Sequence, residues 1–124
     1  MKYMILVQSN PHFQERWEAL SDAERESFGY RHVALTRELA ESGELVLSEA
    51  LADPASTKRV TAVAGRPAMT TDGPFAEAKE HLAGFYLVDC DDEQRALDIA
   101  ARVPDAVWGL VEVRPLLDTS TWDM

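Results

Sequence analysis

The sequence predicts one α+β domain, and three observations support this prediction. The chain has 124 residues, near the commonest size of a single domain, and 46% of them are apolar, enough to form a core. Segments with the period of a strand and of a helix follow in the order strand, helix, two or three strands, helix, strand. Residues typical of helix ends and turns separate these segments. This order predicts a ferredoxin-like antiparallel sheet with both helices on one face.

The first predicted strand covers residues 2–8, and both of its faces are largely apolar. One face carries Tyr3, Ile5 and Val7, and the other carries Met4, Leu6 and Gln8. A strand with two apolar faces needs cover on each of them. Asn10 and Pro11 then end the strand.

The first long helix is predicted to begin at Ser21, after a short helical piece at about residues 15–20. Ser21 and Glu24 have the spacing of a capping box, in which each residue satisfies a backbone amide of the other. On an ideal helix the inner side chains fall within an arc of about 60°; they are Phe28, His32, Leu35 and Leu39. Gly43 is the predicted stop.

Three strands are predicted after this helix, at residues 44–51, 57–64 and 68–71. Asp53-Pro54 and Gly65-Arg66-Pro67 supply the turns between them. The long strand that follows covers residues 82–90.

A second helix is predicted after residue 90, with Asp91 as its cap and Gln94 as the third residue. Pro104 ends it, and a last strand covers residues 107–114. The domain is therefore predicted to span residues 1–115, followed by a tail at 116–124 whose Trp122 is expected to pack on the body.

Charge and composition exclude several classes of function. The chain has 22 acidic and 12 basic residues, a formal charge of −10, which disfavours nucleic acids and anionic membranes as partners. No apolar run approaches the roughly 20 residues that span a bilayer, and residues 1–8 are too short for a secretory signal. Cys90 is the only cysteine, so no internal disulfide forms. A cytoplasmic location is expected.

The segment Thr71-Asp72-Gly73-Pro74-Phe75 joins a turn signature to an apolar run at residues 82–88. Asp, Gly and Pro each favour a tight turn for a separate physical reason. Followed by Glu77, Lys79, Glu80 and Gly84, this segment resembles the hallmark of the DGPF group of YCII-related proteins. These are small bacterial proteins whose activity is mostly unassigned. The resemblance implies a dimeric α+β barrel.

A homodimer is also expected from the strands alone. Two helices on one face of the sheet leave the other face open, although residues 2–8 and 82–88 are apolar on both sides. A second copy that lays its own sheet against the open face would cover it around a two-fold axis.

His32 is the leading candidate for a functional residue, because it lies on the apolar stripe of the first helix. A histidine in that place either packs in the core or serves a site. The run from Arg31 to Ser48 is similar to the YCII-related pattern, in which a histidine and an acidic residue are the proposed active-site pair. The resemblance gives that role to His32, with Asp72 or Glu44 as its partner; spacing does not choose between the two acids.

Such a carboxylate would raise the pKa of His32, whereas burial near Phe28 and Leu35 would lower it, so the ring could act as an acid or a base near neutral pH. Ser48, Phe75, Lys79 and Glu80 are the other predicted ligand-binding residues. Lys79 and Glu80 suit either a pocket mouth or a solvated turn. No cofactor is predicted, and no metal site either, because His12, His32 and His81 are scattered.

Three hypotheses for function follow. The first is a small-molecule pocket with His32 and Asp72 on its wall, acting as a binding module or as an acid–base catalyst. The second is a non-enzymatic interaction protein, since relatives implied by the resemblance are often encoded beside alternative sigma factors, which suggests an accessory role in a stress pathway. The third is an oxygenase or lyase, by analogy of fold alone.

Overall fold

The computed structural model describes residues 1–122, which form an antiparallel sheet, a separate two-stranded ribbon and three helices. The strands are β1 (Lys2–Ser9), β2 (Leu45–Ala50), β3 (Lys58–Thr61), β4 (Met69–Asp72), β5 (His81–Asp89) and β6 (Val111–Pro115). The helices are α1 (Pro11–Ala19), α2 (Asp22–Ser42) and α3 (Glu93–Ala101).

The main sheet has the strand order β2-β5-β1-β6, and every neighbouring pair is antiparallel. In its centre, Ile5 of β1 lies opposite Tyr86 of β5 on one side and Val113 of β6 on the other. Because β1 and β5 occupy the centre, their apolar side chains reach both faces of the sheet. This order and the interleaved helices confirm the predicted ferredoxin-like α+β fold.

The core lies between one face of the sheet and the helices α2 and α3. Alternate residues of β1 and β5 form the floor, and residues three and four apart on the helices form the roof. The fully buried members include Ile5, Val88, Leu39 and Ile99. Since residues of both helices pack in one cluster with Ile5, both helices cover the same face, as predicted.

The opposite face of the sheet is only partly covered. Met4, Leu6, Phe85 and Leu87 alternate with buried neighbours and keep intermediate exposure. An apolar row of this kind in the centre of a sheet is a surface that other chains tend to cover.

The ends of α2 follow the predicted local chemistry. The Ser21 hydroxyl accepts a hydrogen bond from the amide of Glu24 at 3.1 Å, and the Glu24 carboxylate accepts one from the amide of Ser21 at 2.9 Å. At the other end Gly43 has φ of +80°, a left-handed conformation that glycine adopts without steric cost. The capping box and the glycine stop are thus confirmed.

Other boundaries differ from the predictions. The helix α1 begins at Pro11 because the Asn10 side chain caps it at the amide of Phe13, 2.7 Å away. The cap of α3 is Asp92, not Asp91, and it accepts from the amide of Arg95 rather than Gln94. The choice between two adjacent aspartates depends on where the strand before them ends, which local spacing does not reveal.

The last strand is also shorter than predicted. Residues Pro104–Trp108 form a 3₁₀ turn, which ends at Gly109 with φ of +69°, and β6 begins only at Val111. A proline suits the first position of such a turn because it has no amide hydrogen to satisfy. Trp122, expected to pack on the body, instead leaves 55% of its surface exposed.

The strands β3 and β4 were both predicted, but they form a two-stranded ribbon of their own outside the main sheet. Its strands pair only with each other, and Val60, Met69 and the nearby Phe75 are largely exposed. None of the helices within residues 1–122 is long and apolar enough to cross a bilayer.

Candidate functional site

His32 is hydrogen-bonded through both of its ring nitrogens. Its Nε2 lies 2.7 Å from Oδ1 of Asp105, and its Nδ1 contacts the hydroxyl of Tyr86. The three side chains come from α2, from the 3₁₀ turn before β6 and from β5. They form a continuous chain of hydrogen bonds, named here the Tyr86–His32–Asp105 chain.

Aromatic packing holds the ring of His32 in this position. The imidazole lies parallel to the ring of Tyr86, with 6.0 Å between centroids and 6° between planes. The ring of Phe28 packs against the imidazole with 5.4 Å between centroids and 58° between planes, and Phe28 in turn stacks on Trp108 at 5.3 Å. A ring that packs in this way loses little further freedom when it forms hydrogen bonds, so the geometry is pre-organised.

Asp105 is 4% exposed, and the turn that begins at Pro104 carries it into the interior beneath α2. A buried carboxylate requires a hydrogen-bonding partner, and Nε2 of His32 provides it. Because an ionised carboxylate only accepts, Nε2 carries a hydrogen and donates it. In the neutral ring Nδ1 is then an acceptor, and the hydroxyl of Tyr86 donates to it.

Tyr86, like Asp105, was not predicted from the sequence. Burial raises the pKa of its hydroxyl to about 12, and the nearby charge of Asp105 adds to the effect. The phenol therefore stays protonated at neutral pH. Its position in a strand of alternating buried residues was visible in the sequence, but a buried tyrosine is far more common than a functional one.

A cavity of about 590 Å³ opens beside this chain, between α2 and the strands β2 and β5. The polar residues of its lining are His32, Thr36, Arg37, Ser48, Glu49, Tyr86 and Asp105. The remaining lining is mainly apolar, and the volume lies within the range of small-molecule sites.

Gly84 on β5 allows β2 to close one wall of this cavity. A Cβ atom at position 84 would lie 2.9 Å from the main-chain oxygen of Glu49 on β2, closer than such atoms approach in proteins. Since backbone cannot move aside as a flexible side chain does, glycine is required for this close pairing of β2 and β5.

The two acids predicted as partners of His32 lie elsewhere. Glu44 accepts two hydrogen bonds from Arg95 at 2.8 Å each, and these bonds lower its pKa to about 2. Asp72 pairs with Lys58 on the exposed ribbon. The acidic partner of His32 is therefore Asp105, which is 73 positions away in the chain and carried no local signal.

Of the predicted ligand-binding residues, the structure brings only Ser48 into the cavity with His32. Ser48 lies opposite Tyr86 in the β2–β5 register, on the face covered by the helices. Phe75, Lys79 and Glu80 are exposed and do not line this cavity. The guanidinium of Arg59 instead lies over the ring of Phe75, 5.5 Å from its centroid.

Acid–base chemistry is what this arrangement suits. In the Tyr86–His32–Asp105 chain a histidine bridges a carboxylate and a hydroxyl. These three groups together relay a proton in many enzyme sites. Among residues 1–122, no three histidine, cysteine or acidic side chains stand close enough together to hold a metal ion.

Comparisons with known proteins give a consistent result. A family model described as the YCII-related domain matches residues 1–120. An uncharacterised protein of Rhizobium meliloti (strain 1021) is 35% identical over 118 residues, which cover 94% of this chain and 92% of that protein.

Proposed function

Because the chain belongs to the family of the YCII-related domain, we propose that it is a small-molecule-binding protein that performs acid–base chemistry through His32. The observation that carries the proposal is the bridging position of His32 between Asp105 and Tyr86 at the wall of a cavity. A histidine with a purely structural role would also need polar partners for its two ring nitrogens, so the feature that favours a functional role is the open cavity beside them.

The proposed route of the proton runs through Tyr86. Both nitrogens of His32 are occupied, so the ring itself does not reach a ligand. When a ligand gives a proton to the Tyr86 oxygen, the hydroxyl passes its own proton to Nδ1 of His32. The resulting imidazolium is stabilised by the charge of Asp105. The reverse transfer protonates a ligand, and neither direction forms a free tyrosinate.

Removal of the Tyr86 hydroxyl tests this proposal with little change in shape. We expect a thermal-shift screen of small acids and metabolites to give hits for the wild-type protein that Tyr86→Phe loses. The expected loss is about tenfold or more in affinity, because the hydroxyl is the group that meets the ligand. Tyr30→Phe is the matched control, since Tyr30 lies on the same helix as His32 but is 65% exposed and outside the cavity.

Two results would contradict the proposal. One is a set of hits that bind Tyr86→Phe as tightly as the wild-type protein. The other is a screen in which no compound binds the wild-type protein.

The surface of the ribbon favours a second candidate function. Val60, Met69 and Phe75 expose apolar surface on a ribbon that forms no part of the main sheet. Such a surface suits protein–protein contact, and an accessory role in a sigma-factor-linked stress pathway would use it. A screen without ligands, together with a protein partner whose binding is lost in Phe75→Asp, would favour this candidate.

The protein is further proposed to act as a cytoplasmic homodimer. The partly exposed apolar row of Met4, Leu6, Phe85 and Leu87 supports the dimer, because a second sheet laid on it would remove that surface from water.

A further inference from the structure

The lining of the cavity beside the Tyr86–His32–Asp105 chain also includes one positively charged side chain. Arg37 is the only lysine or arginine in its lining. Among residues 1–122 the arginines with ion-pair partners are Arg25, Arg95 and Arg102, and Arg37 is not one of them. Its charge is therefore available to a ligand.

The acidic residues of the lining leave this charge uncompensated. Asp105 is committed to His32 at 2.7 Å. Glu49 alternates with Ser48 along β2 and is paired in register with Phe85, so its side chain belongs to the opposite face of the sheet. The main-chain oxygen of Glu49 lies beside Gly84, which also lines the cavity.

Arg37 and the Tyr86–His32–Asp105 chain are separated by a distance suited to a small ligand. Arg37 follows His32 by five residues on α2, a rise of about 7.5 Å along an ideal helix. The rest of the cavity lining includes the apolar residues Val33, Ala50 and Ala83. A ligand that reaches both Arg37 and Tyr86 would thus have a polar group at each end.

We propose that the cavity takes a small monocarboxylic acid whose carboxylate binds Arg37 and whose carbonyl or hydroxyl oxygen meets Tyr86. This inference rests on the proposed function and names its class of ligand. A guanidinium binds a carboxylate through two parallel hydrogen bonds, which gives both affinity and orientation.

The formal charge of −10 does not prevent such binding. At physiological ionic strength, charges further apart than about 8 Å are largely screened, so distant acids repel an anion only weakly. The direct contact with Arg37 is screened less and decides the outcome.

A panel of matched compounds tests the inference. Oxo acids from 4-oxopentanoate to 7-oxooctanoate and their primary amides have the same shape, but only the acids carry a charge. We expect calorimetric titration of the wild-type protein to show acids binding about tenfold or more tightly than their amides. In Arg37→Gln this preference disappears, while the affinity for the amides stays unchanged.

Arg31→Gln is the control variant, because Arg31 lies on the same helix but stacks over Phe28 at 5.7 Å and does not line the cavity. It keeps the preference for acids. A preference that survives in Arg37→Gln would overturn the assignment to Arg37.

The remaining outcomes separate this inference from the proposed function. If acids and amides bind the wild-type protein equally and both are lost in Tyr86→Phe, the carboxylate inference is wrong and the proposed function stands. If no member of the panel binds the wild-type protein but the screen of small acids and metabolites gives hits that Tyr86→Phe loses, the carboxylate inference is wrong and the proposed function stands. If neither the panel nor the screen gives binding, both are wrong.

Discussion

His32 gains its chemistry from the side chains on either side of it. Asp105 orients one ring nitrogen, and Tyr86 connects the other to the cavity. In the proposed function, a proton that leaves the ligand would be held by His32, which never touches the ligand. Asp105 would position the ring of His32, and Tyr86 would be the residue that contacts the ligand.

Glu44 provides a test at acidic pH. Its hydrogen bonds with Arg95 hold its pKa at about 2, below its usual 4.5, so the ion pair stabilises the fold fully above about pH 4.5 and loses its effect as pH falls towards 2. We expect Glu44→Gln to lower the free energy of unfolding at pH 7 by about 1 kcal/mol, since the pair is partly exposed and screened.

The measurement is urea denaturation of both proteins at several pH values. The difference between them should be constant from pH 5 to 8 and shrink below pH 4.5. Glu38→Gln serves as control, because Glu38 and its partner Arg102 are both about half exposed, and a pair of that kind contributes little. A difference that grows below pH 4.5 would contradict the assignment.

Short-range sequence patterns predicted the features that depend only on residues close together in the sequence. The stripe that contains His32 and the capping box of Ser21 follow from spacing within about three helical turns. Asp105 and Tyr86 reach His32 only because β5 and the 3₁₀ turn fold beside α2, across 54 and 73 positions. Arg37 belongs between these cases, because its helix was predicted but its place in the lining of the cavity was not.

Gly73 directly follows β4, where the polypeptide leaves the ribbon and continues towards β5 of the main sheet. Gly73 has φ of +85°, and its amide donates to the oxygen of Thr57 at 2.7 Å. We expect Gly73→Ala to lower stability by about 1 kcal/mol, because a Cβ atom disfavours this backbone conformation even where space is free.

Gly29→Ala gives the opposite sign and serves as the comparison. Gly29 lies in α2, and a Cβ atom there would meet nothing within 4 Å. The same added methyl group should raise stability by about 0.5 to 1 kcal/mol, because alanine favours the helix. Thermal unfolding of both variants checks the pair, and two shifts of the same sign would show that backbone conformation does not decide the effect.

Boundaries were harder to predict than the existence of elements. The four strands of the main sheet and the helices α2 and α3 were all expected, and the structure contains them. The start of β6 moved from 107 to 111, because Pro104 and Gly109 together favour a 3₁₀ turn over an extended strand. Proline fixes its own φ, but glycine permits several conformations, and the packing around Gly109 selects one of them.

The open face of the sheet makes association of two copies the main test for the whole protein. We expect sedimentation at micromolar concentration to give twice the chain mass of 13.8 kDa. Leu6→Asp should give a folded monomer, because a charge on the apolar row cannot be buried against a second sheet.

Val107→Asp is the control, since Val107 is 78% exposed on the 3₁₀ turn and away from that row. It should sediment as the wild-type protein does. A wild-type protein that sediments as a monomer would refute the dimer, and circular dichroism would show whether Leu6→Asp remains folded.

The central place of β1 has a consequence for synthesis on the ribosome. Residues 2–9 are made before their neighbours in the sheet, residues 81–89 and 111–115. At about 5 to 20 residues per second, β1 waits roughly 5 to 20 s before its second neighbour has been translated. During that interval the apolar strand has unpaired edges, and such edges are the part of a sheet that most readily pairs with other chains.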